Sequence, residues 1–484
     1  MKTKGVLGLF FLIFILGCEG LVDAVTDPDP EETDAPNGVE EIQYGEVAGS
    51  WVEVGPEVSV SSQNPDFDYL WRNSLLIYDG RAYVAAVNST LGREETDDQF
   101  GIDDQLGRHD PALFVFEMDV DGNEWIGEDF PIVVLDSENE KHFGDIDLAQ
   151  MGGIITATYA ELDYGDSSAG LVSSEIRSVF LDETSATNQT VSDLEIDGID
   201  HLRSWTDSAG ERFLAVSGGD NIAIFRSRLG TSNGSNQLGF EETVFTGSDG
   251  IEEFEGSLGS RRQVPRVDRQ WDVIQSQSNY ILLGTRQGEI DLRVWRMRVT
   301  DDSWGLRSSI EFNTEDLGFF SIMGTPITEG LTVHNVRAVP DGTGGAYVAV
   351  VYENSDPGTT TPTRRSGRVF RLSGSGPGRI NQIETVGPRF FGATQLILDS
   401  DLGTTLEIYV TPRNTPLVVW GEGGVQAAEF FDGQWSQYGG VGSSRPSGTR
   451  QASRPSNPVS VDYDRDSDTL YVLSERQLYR FDKD

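Results

Sequence analysis

From Trp51 onward the chain alternates apolar and polar residues in short runs, with Gly, Asp, Asn and Ser between them. Period-two alternation of this length predicts half-buried strands, and no stretch shows the 3.6-residue period of an amphipathic helix. One kind of run recurs seven times: Arg81–Val87, Gly153–Tyr159, Arg212–Ser217, Asn279–Thr285, Gly345–Tyr352, Leu406–Val410 and Thr469–Leu473. Their starts are 72, 59, 67, 66, 61 and 63 residues apart. Each is followed by a second run carrying an aromatic near its end: Phe116, Phe180, Phe225, Trp295, Phe370, Phe430 and Tyr479. Trp125, Trp304 and Trp435 then follow a turn in three of the units. The aromatics read as packing between neighbouring sheets.

A near-constant period of this size indicates an array of one supersecondary unit. The fold expected is all-β: a seven-bladed β-propeller of four-stranded antiparallel blades, with the recurrent runs as second and third strands counted from the axis. The chain ends at Asp484 after only three strands of the last unit (Pro458–Tyr463, Thr469–Leu473, Gln477–Phe481). Gly49–Gly55, with Trp51, reads as an unpaired outer strand, so the N-terminal strand would close the ring and remove its open edges. The resemblance is to the broad propeller superfold over residues 47–484, without a subfamily. Neither regular WD dipeptides nor a paired-glycine kelch motif is present. Such a superfold hosts many activities, so function has to come from its loops and mouth.

Residues 1–17 read as a signal peptide. Lys2 and Lys4 precede an apolar run, Val6–Leu16, that is too short to cross about 30 Å of hydrocarbon. It ends Ile15-Leu16-Gly17-Cys18, and Cys18 is the single cysteine of the chain. The stretch resembles the bacterial lipobox, which implies acylation of Cys18 and a lipid-anchored protein of the outer membrane, facing the periplasm or the cell surface. Residues 18–46 read as an acidic disordered tether: Glu19–Glu46 holds ten acids and three prolines with few large apolar groups.

Strand alternation puts the second-to-third and fourth-to-first connections on one face. That face carries the long segments 88–111, 161–174, 247–270, 353–367, 411–424 and 440–457, whereas the opposite face has tight turns such as Asp79-Gly80 and Asp432-Gly433. Connections beyond about 12–15 residues in a compact domain are usually functional or disordered. Arginines cluster in them: Arg261, Arg262, Arg266 and Arg269; Arg364, Arg365 and Arg368; Arg445, Arg450 and Arg454. Guanidinium forks suit carboxylate, sulfate or phosphate groups. The alternative is that they neutralise neighbouring acidic loops, above all the acid-rich segment between Glu94 and Asp110.

The 79 acidic against 36 basic residues, a formal charge of −43, exclude a nucleic-acid binder that works by broad phosphate neutralisation. One cysteine excludes a disulfide framework and thiolate metal sites. His109, His142, His201 and His334 fall in different units with no metal-ligand spacing, and read as loop histidines. No nucleophile elbow, P-loop or dinucleotide fingerprint is present. Asp462, Asp464, Asp466 and Asp468 stand at alternate positions in one turn and form a candidate Ca²⁺ site, although the glycine and distal glutamate of an EF-hand are missing. No other cofactor is expected.

The reading that results is a lipid-tethered, non-enzymatic propeller binding a protein or an anionic polysaccharide through its long-loop face. The alternative is a hydrolase or lyase of extracellular glycans with carboxylates in the central mouth. What separates them is whether acids from several sheets converge at the axis. A structural envelope component with no small ligand is a third reading.

Overall fold

The computed structural model describes residues between 44 and 484: the strands named below and the turns that join them. Residues 1–43, the long connections 58–71, 89–111, 164–172, 244–270, 313–330, 355–363, 393–405 and 440–458, and several shorter ones lie outside the described part. It is all-β, a propeller-like arrangement of antiparallel sheets.

Two short strands, β1 (Gly45–Val47) and β2 (Gly49–Val54), come first and join sheets built from the far end of the chain. Sheet one is β3 (Arg72–Tyr78), β4 (Arg81–Asn88), β5 (Ala112–Asp119) and a divided outer strand, β6 (Glu124–Trp125) and β7 (Val133–Asp136). Sheet two is β8 (His142–Met151), β9 (Ile154–Asp163), β10 (Ser173–Leu181) and β11 (Thr187–Ser192). Sheet three is β12 (Ile199–Thr206), β13 (Arg212–Gly218), β14 (Asn221–Ser232) and β15 (Ser235–Thr243). Sheet four is β16 (Trp271–Ser276), β17 (Asn279–Arg286), β18 (Glu289–Thr300) and β19 (Ser303–Phe312).

Sheet five is β20 (Leu331–Pro340), β21 (Ala346–Asn354), β22 (Arg364–Ser373) and β23 (Gln382–Thr385), with β24 (Phe391–Gly392) also on β22. Sheet six is β25 (Leu406–Val410), β26 (Pro416–Gly421), β27 (Val425–Phe431) and β28 (Gln434–Tyr438), with β1 parallel to β28 on its outer edge. Sheet seven is β29 (Val459–Asp464), β30 (Thr469–Ser474), β31 (Gln477–Lys483) and β2, antiparallel to β31 as expected of a closing strand.

The repeated runs sit where the pattern placed them in six sheets, and sheet six departs from it. Leu406–Val410 is its innermost strand rather than its second, and the second is Pro416–Gly421. The segment 411–424 is therefore no long loop: it holds a tight turn closed by Thr411 N–H to Thr415 O at 3.0 Å, then β26. Both β25 and β26 are short apolar runs of equal appearance, so spacing alone does not rank them. Gly45 and Glu46, expected in the tether, are already paired to Ser436 and Gln437.

Side chains of adjoining sheets interleave at the seams one–two, four–five, five–six, six–seven and seven–one. One cluster joins Val348, Val350 and Phe370 of sheet five to Ile274, Ile281 and Leu283 of sheet four. Another joins Leu417, Val419 and Tyr438 of sheet six to Val461, Val472 and Phe481 of sheet seven. Across the end of the chain, Tyr471 and Leu473 of sheet seven pack with Leu75, Val84 and Phe116 of sheet one. The hairpin turns are tight where expected: Asp79 and Gly80 have φ of 52° and 73°, Asp432 and Gly433 of 51° and 84°. Two consecutive positive values are the signature of a type I′ turn, matching the strands' right-handed twist.

Candidate functional site

An innermost strand is an edge strand, and its outward main-chain groups need partners. Here they are met by polar side chains of the adjoining sheet, in chain order around the axis. Ser74 Oγ accepts Leu148 N–H at 3.0 Å, joining sheets one and two. Asp145 and Asp147 accept the N–H groups of Leu202 (2.9 Å) and Ser204 (2.7 Å), joining two and three. Arg203 Nε pairs with Asp272 Oδ1 at 3.2 Å, joining three and four. Asp272 Oδ2 accepts Ala338 N–H at 2.8 Å, joining four and five. Arg337 Nε donates to Leu406 O at 3.1 Å, joining five and six. Tyr409 donates to Val461 O at 2.8 Å, joining six and seven. Asp462 Oδ2 accepts Ile77 N–H at 2.6 Å, joining seven and one.

Within this belt a charged group forms across the axis. Arg203 of sheet three meets both Asp272 and, at 3.8 Å, Glu407 of sheet six. Arg337 of sheet five meets the same two acids, Glu407 Oε1 at 3.1 Å and Asp272 Oδ1 at 3.9 Å. Sharing two guanidiniums holds the Asp272 and Glu407 carboxylates within about 10 Å of each other. The group is graded by depth: Asp272 and Arg337 side chains are 0% and 3% exposed, whereas Glu407 and Arg203 are 20% and 28% exposed. Asp272 and Arg337 are thus its buried members, and Arg203 and Glu407 its partly exposed ones.

Burial sets the titration of these groups. It pushes Asp272 upward, against Arg203 and the two main-chain donors Ala338 and Val273. Burial acts to lower Arg203, but the charges of Asp272, Glu407 and Asp147 more than reverse it, so this guanidinium is firmly protonated. Asp462 is pushed up to about 6, first by burial and then by Glu407 and Asp464, with the Ile77 and Tyr463 N–H groups opposing. Tyr409, beside Glu407 and Asp462, is held well above its ordinary value by burial and those two charges. The two carboxyls sit in contrasting environments: Glu407 pairs with two arginines, whereas Asp462 is held by two main-chain N–H groups.

The candidate residues of the sequence lie elsewhere. Arg261, Arg262, Arg266, Arg269, Arg445, Arg450 and Arg454 lie outside the described residues, as does Cys18. Arg364 and Arg365 belong to a strand rather than a loop, opposite Asn354 and Glu353 in the β21–β22 ladder. The turn acids do not share one centre. Asp462 serves the seam with sheet one, Asp464 accepts Asp466 N–H (3.0 Å) and Ser467 Oγ–H (2.6 Å), and Asp468 takes Tyr463 and Lys483. Among the described residues no group of three acidic, histidine or cysteine side chains is placed to hold a metal ion.

Sequence reasoning missed Arg203, Asp272, Arg337 and Glu407, each an isolated charge in an alternating strand. It also read three histidines as loop residues. His142, His201 and His334 lie on β8, β12 and β20, all innermost strands, in the halves that the chain enters from the preceding sheet. The available signal was the repeat itself: aligning the innermost strands would have shown charges recurring on one structural layer.

No protein-family model matches the chain, and no curated protein matches it. Among solved structures it is similar to the polysaccharide lyase Uly1, at 10% identity and a TM-score of 0.46 over 94% of this chain and 95% of that one. It is similar also to a PL25 ulvan lyase, at 12% identity and 0.42 over 91% and 95%. A third is a Penicillium chrysogenum α-L-arabinanase complexed with arabinobiose, at 12% identity and 0.38 over 69% and 92%. Likenesses this remote carry no argument about what the chain does.

Proposed function

We propose that this chain is a seven-bladed, lipid-tethered propeller that cleaves an anionic extracellular glycan at its axial mouth. The observation that supports this reading is the meeting of acids and arginines from non-adjacent sheets, with Arg203 of sheet three held against Glu407 of sheet six at 3.8 Å. A structural tie needs neighbouring sheets only, as the other seams show. Glu407, a partly exposed carboxylate held between Arg203 and Arg337, suits the proton acceptor. Arg203, the most exposed of the four, suits a carboxylate or sulfate on the sugar. His142, His201 and His334 are further proton-transfer candidates by their place on the innermost strands. Cys18 would carry the lipid, and residues 19–43 would let the mouth reach polymer outside the membrane.

The test is incubation of the chain with acidic and neutral polysaccharides, reading new reducing ends and the ultraviolet absorbance of unsaturated ends. Glu407→Gln should abolish turnover; it also loses part of the ion pairs to Arg203 and Arg337, so the assay is run well below the variant's own melting temperature. If no polysaccharide is shortened, the catalytic reading fails. The binding reading would then stand on retention by a glycan column, lost on replacing Arg445, Arg450 and Arg454 by Ala.

A further inference from the structure

Residues 44–56 run as one extended segment around the outer rim and touch four sheets in succession. The Tyr44 hydroxyl donates to Phe390 O of sheet five at 2.7 Å, and its ring packs into the cluster of Phe390, Trp420 and Trp435. β1 lies parallel to β28 of sheet six, and Gly439 N–H reaches Val47 O at 3.4 Å. After the single residue Ala48, whose carbonyl accepts Asp484 N–H at 3.2 Å, β2 pairs with β31 of sheet seven. Trp51 sets its edge against Phe481 at 5.3 Å between ring centres. Gly55 N–H then meets Asn123, and Pro56 O accepts Trp125 Nε1–H at 2.9 Å, both in sheet one.

The order of these contacts has a mechanical consequence. In the β2–β31 pair, Gly49 stands opposite Lys483, so both strands meet the anchor side and the C-terminus at the same end. Tension between those points would open the pair one residue at a time, the weak direction for a β-ladder. Tyr44 and β1 lie ahead of it on the chain and are held by different sheets. We infer that Tyr44–Val47 is a strain-relief clamp, which takes tension from the N-terminal segment on sheets five and six before it reaches the strand that completes sheet seven. The cellular role rests on the lipid-tether reading; the clamp itself does not.

The full chain can be held in an optical trap by the Cys18 thiol, its single cysteine, and a C-terminal handle. A small transition releasing residues 44–48, about 15–18 Å of chain, should precede the larger opening. In Tyr44→Ala/Gly45→Val the small transition should vanish and the large one should come at lower force. A side chain at Gly45 would meet Ser436 Oγ at 2.7 Å and Gln434 Nε2 at 2.8 Å, ends of movable side chains that must shift, so it loosens β1 and the loss of the Tyr44 ring and hydroxyl removes its anchor, while β2 is untouched. Bulk melting of that variant, close to the parent's, separates loss of the clamp from misfolding. Tyr44→Phe, which removes only the bond to Phe390, should shift the small transition to lower force. A single transition in the parent, or an unchanged opening force in Tyr44→Ala/Gly45→Val, overturns the inference; the chain is trapped by its free Cys18 thiol, unacylated, so this outcome is separate from the lipid-tether reading.

Discussion

Asp462, near the C-terminus, accepts the main-chain N–H of Ile77 through Oδ2 at 2.6 Å and that of Tyr463 through Oδ1 at 2.8 Å. One carboxylate thus joins the innermost strand of sheet seven to that of sheet one, 385 residues earlier in the chain. It does so while burial holds its pKa at about 6.

This pKa gives stability a specific pH dependence. The folded value lies above the roughly 3.9 of an unfolded aspartate, so the fold binds the extra proton between about pH 4 and 6. Asp462 therefore favours the fold most below pH 4, and that contribution is lost as pH rises through 6, over a span of about 2–3 kcal/mol at most. Urea midpoints at pH 4.5 and 7.5 should differ by less in Asp462→Asn than in the parent. An equal difference in both would exclude this residue as the cause.

Arg337 is only 3% exposed on its side chain and serves both Glu407 and the fully buried Asp272. Removing one partner from a buried ionic group leaves the other uncompensated, which costs about 3–5 kcal/mol. Arg337→Met should lose stability in that range in urea titration. A loss under about 1 kcal/mol would mean that Arg203 alone balances Asp272.

The Tyr438 hydroxyl is buried between sheets six and seven with no hydrogen-bond partner among the described residues, while the ring packs against Phe481 at 4.8 Å. An unmet buried hydroxyl costs about 1–3 kcal/mol, so deleting it should not destabilise. Tyr438→Phe is expected to match or exceed the parent's urea midpoint. A clear drop would reveal a bound water as the hydroxyl's partner.

Gly345 closes the turn after β20, where Asp341 Oδ1 accepts its N–H at 2.9 Å. A Cβ there would lie 2.1 Å from Leu372 O and 2.9 Å from Asp341 Oδ2. Gly345→Ala should cost about 1–3 kcal/mol through displaced backbone, read as a lower melting temperature. Gly80→Ala meets no neighbouring atom within 4 Å and isolates the separate cost of its φ of 73°.

The strands and their pairing into four-stranded units were legible in the chain because each depends on neighbours in sequence, and the role of Gly49–Val54 because the last unit lacks one strand that this unpaired one supplies. Alternation sets which face of a strand is buried, and Asp-Gly pairs set where it reverses. The misplacement of Leu406–Val410 as a second strand arose where two similar apolar runs stand within ten residues and local pattern cannot order them about an axis. The four charges at that axis were invisible for a different reason. Arg203, Asp272, Arg337 and Glu407 each resemble an ordinary polar position, and their meaning comes from partners about 65–200 residues away, brought within 4 Å by the curvature of successive sheets. Composition and periodicity decided what the sheets are made of. Only the tertiary arrangement decided which isolated charges meet, because the low-dielectric centre that couples them exists only once the sheets are assembled around it.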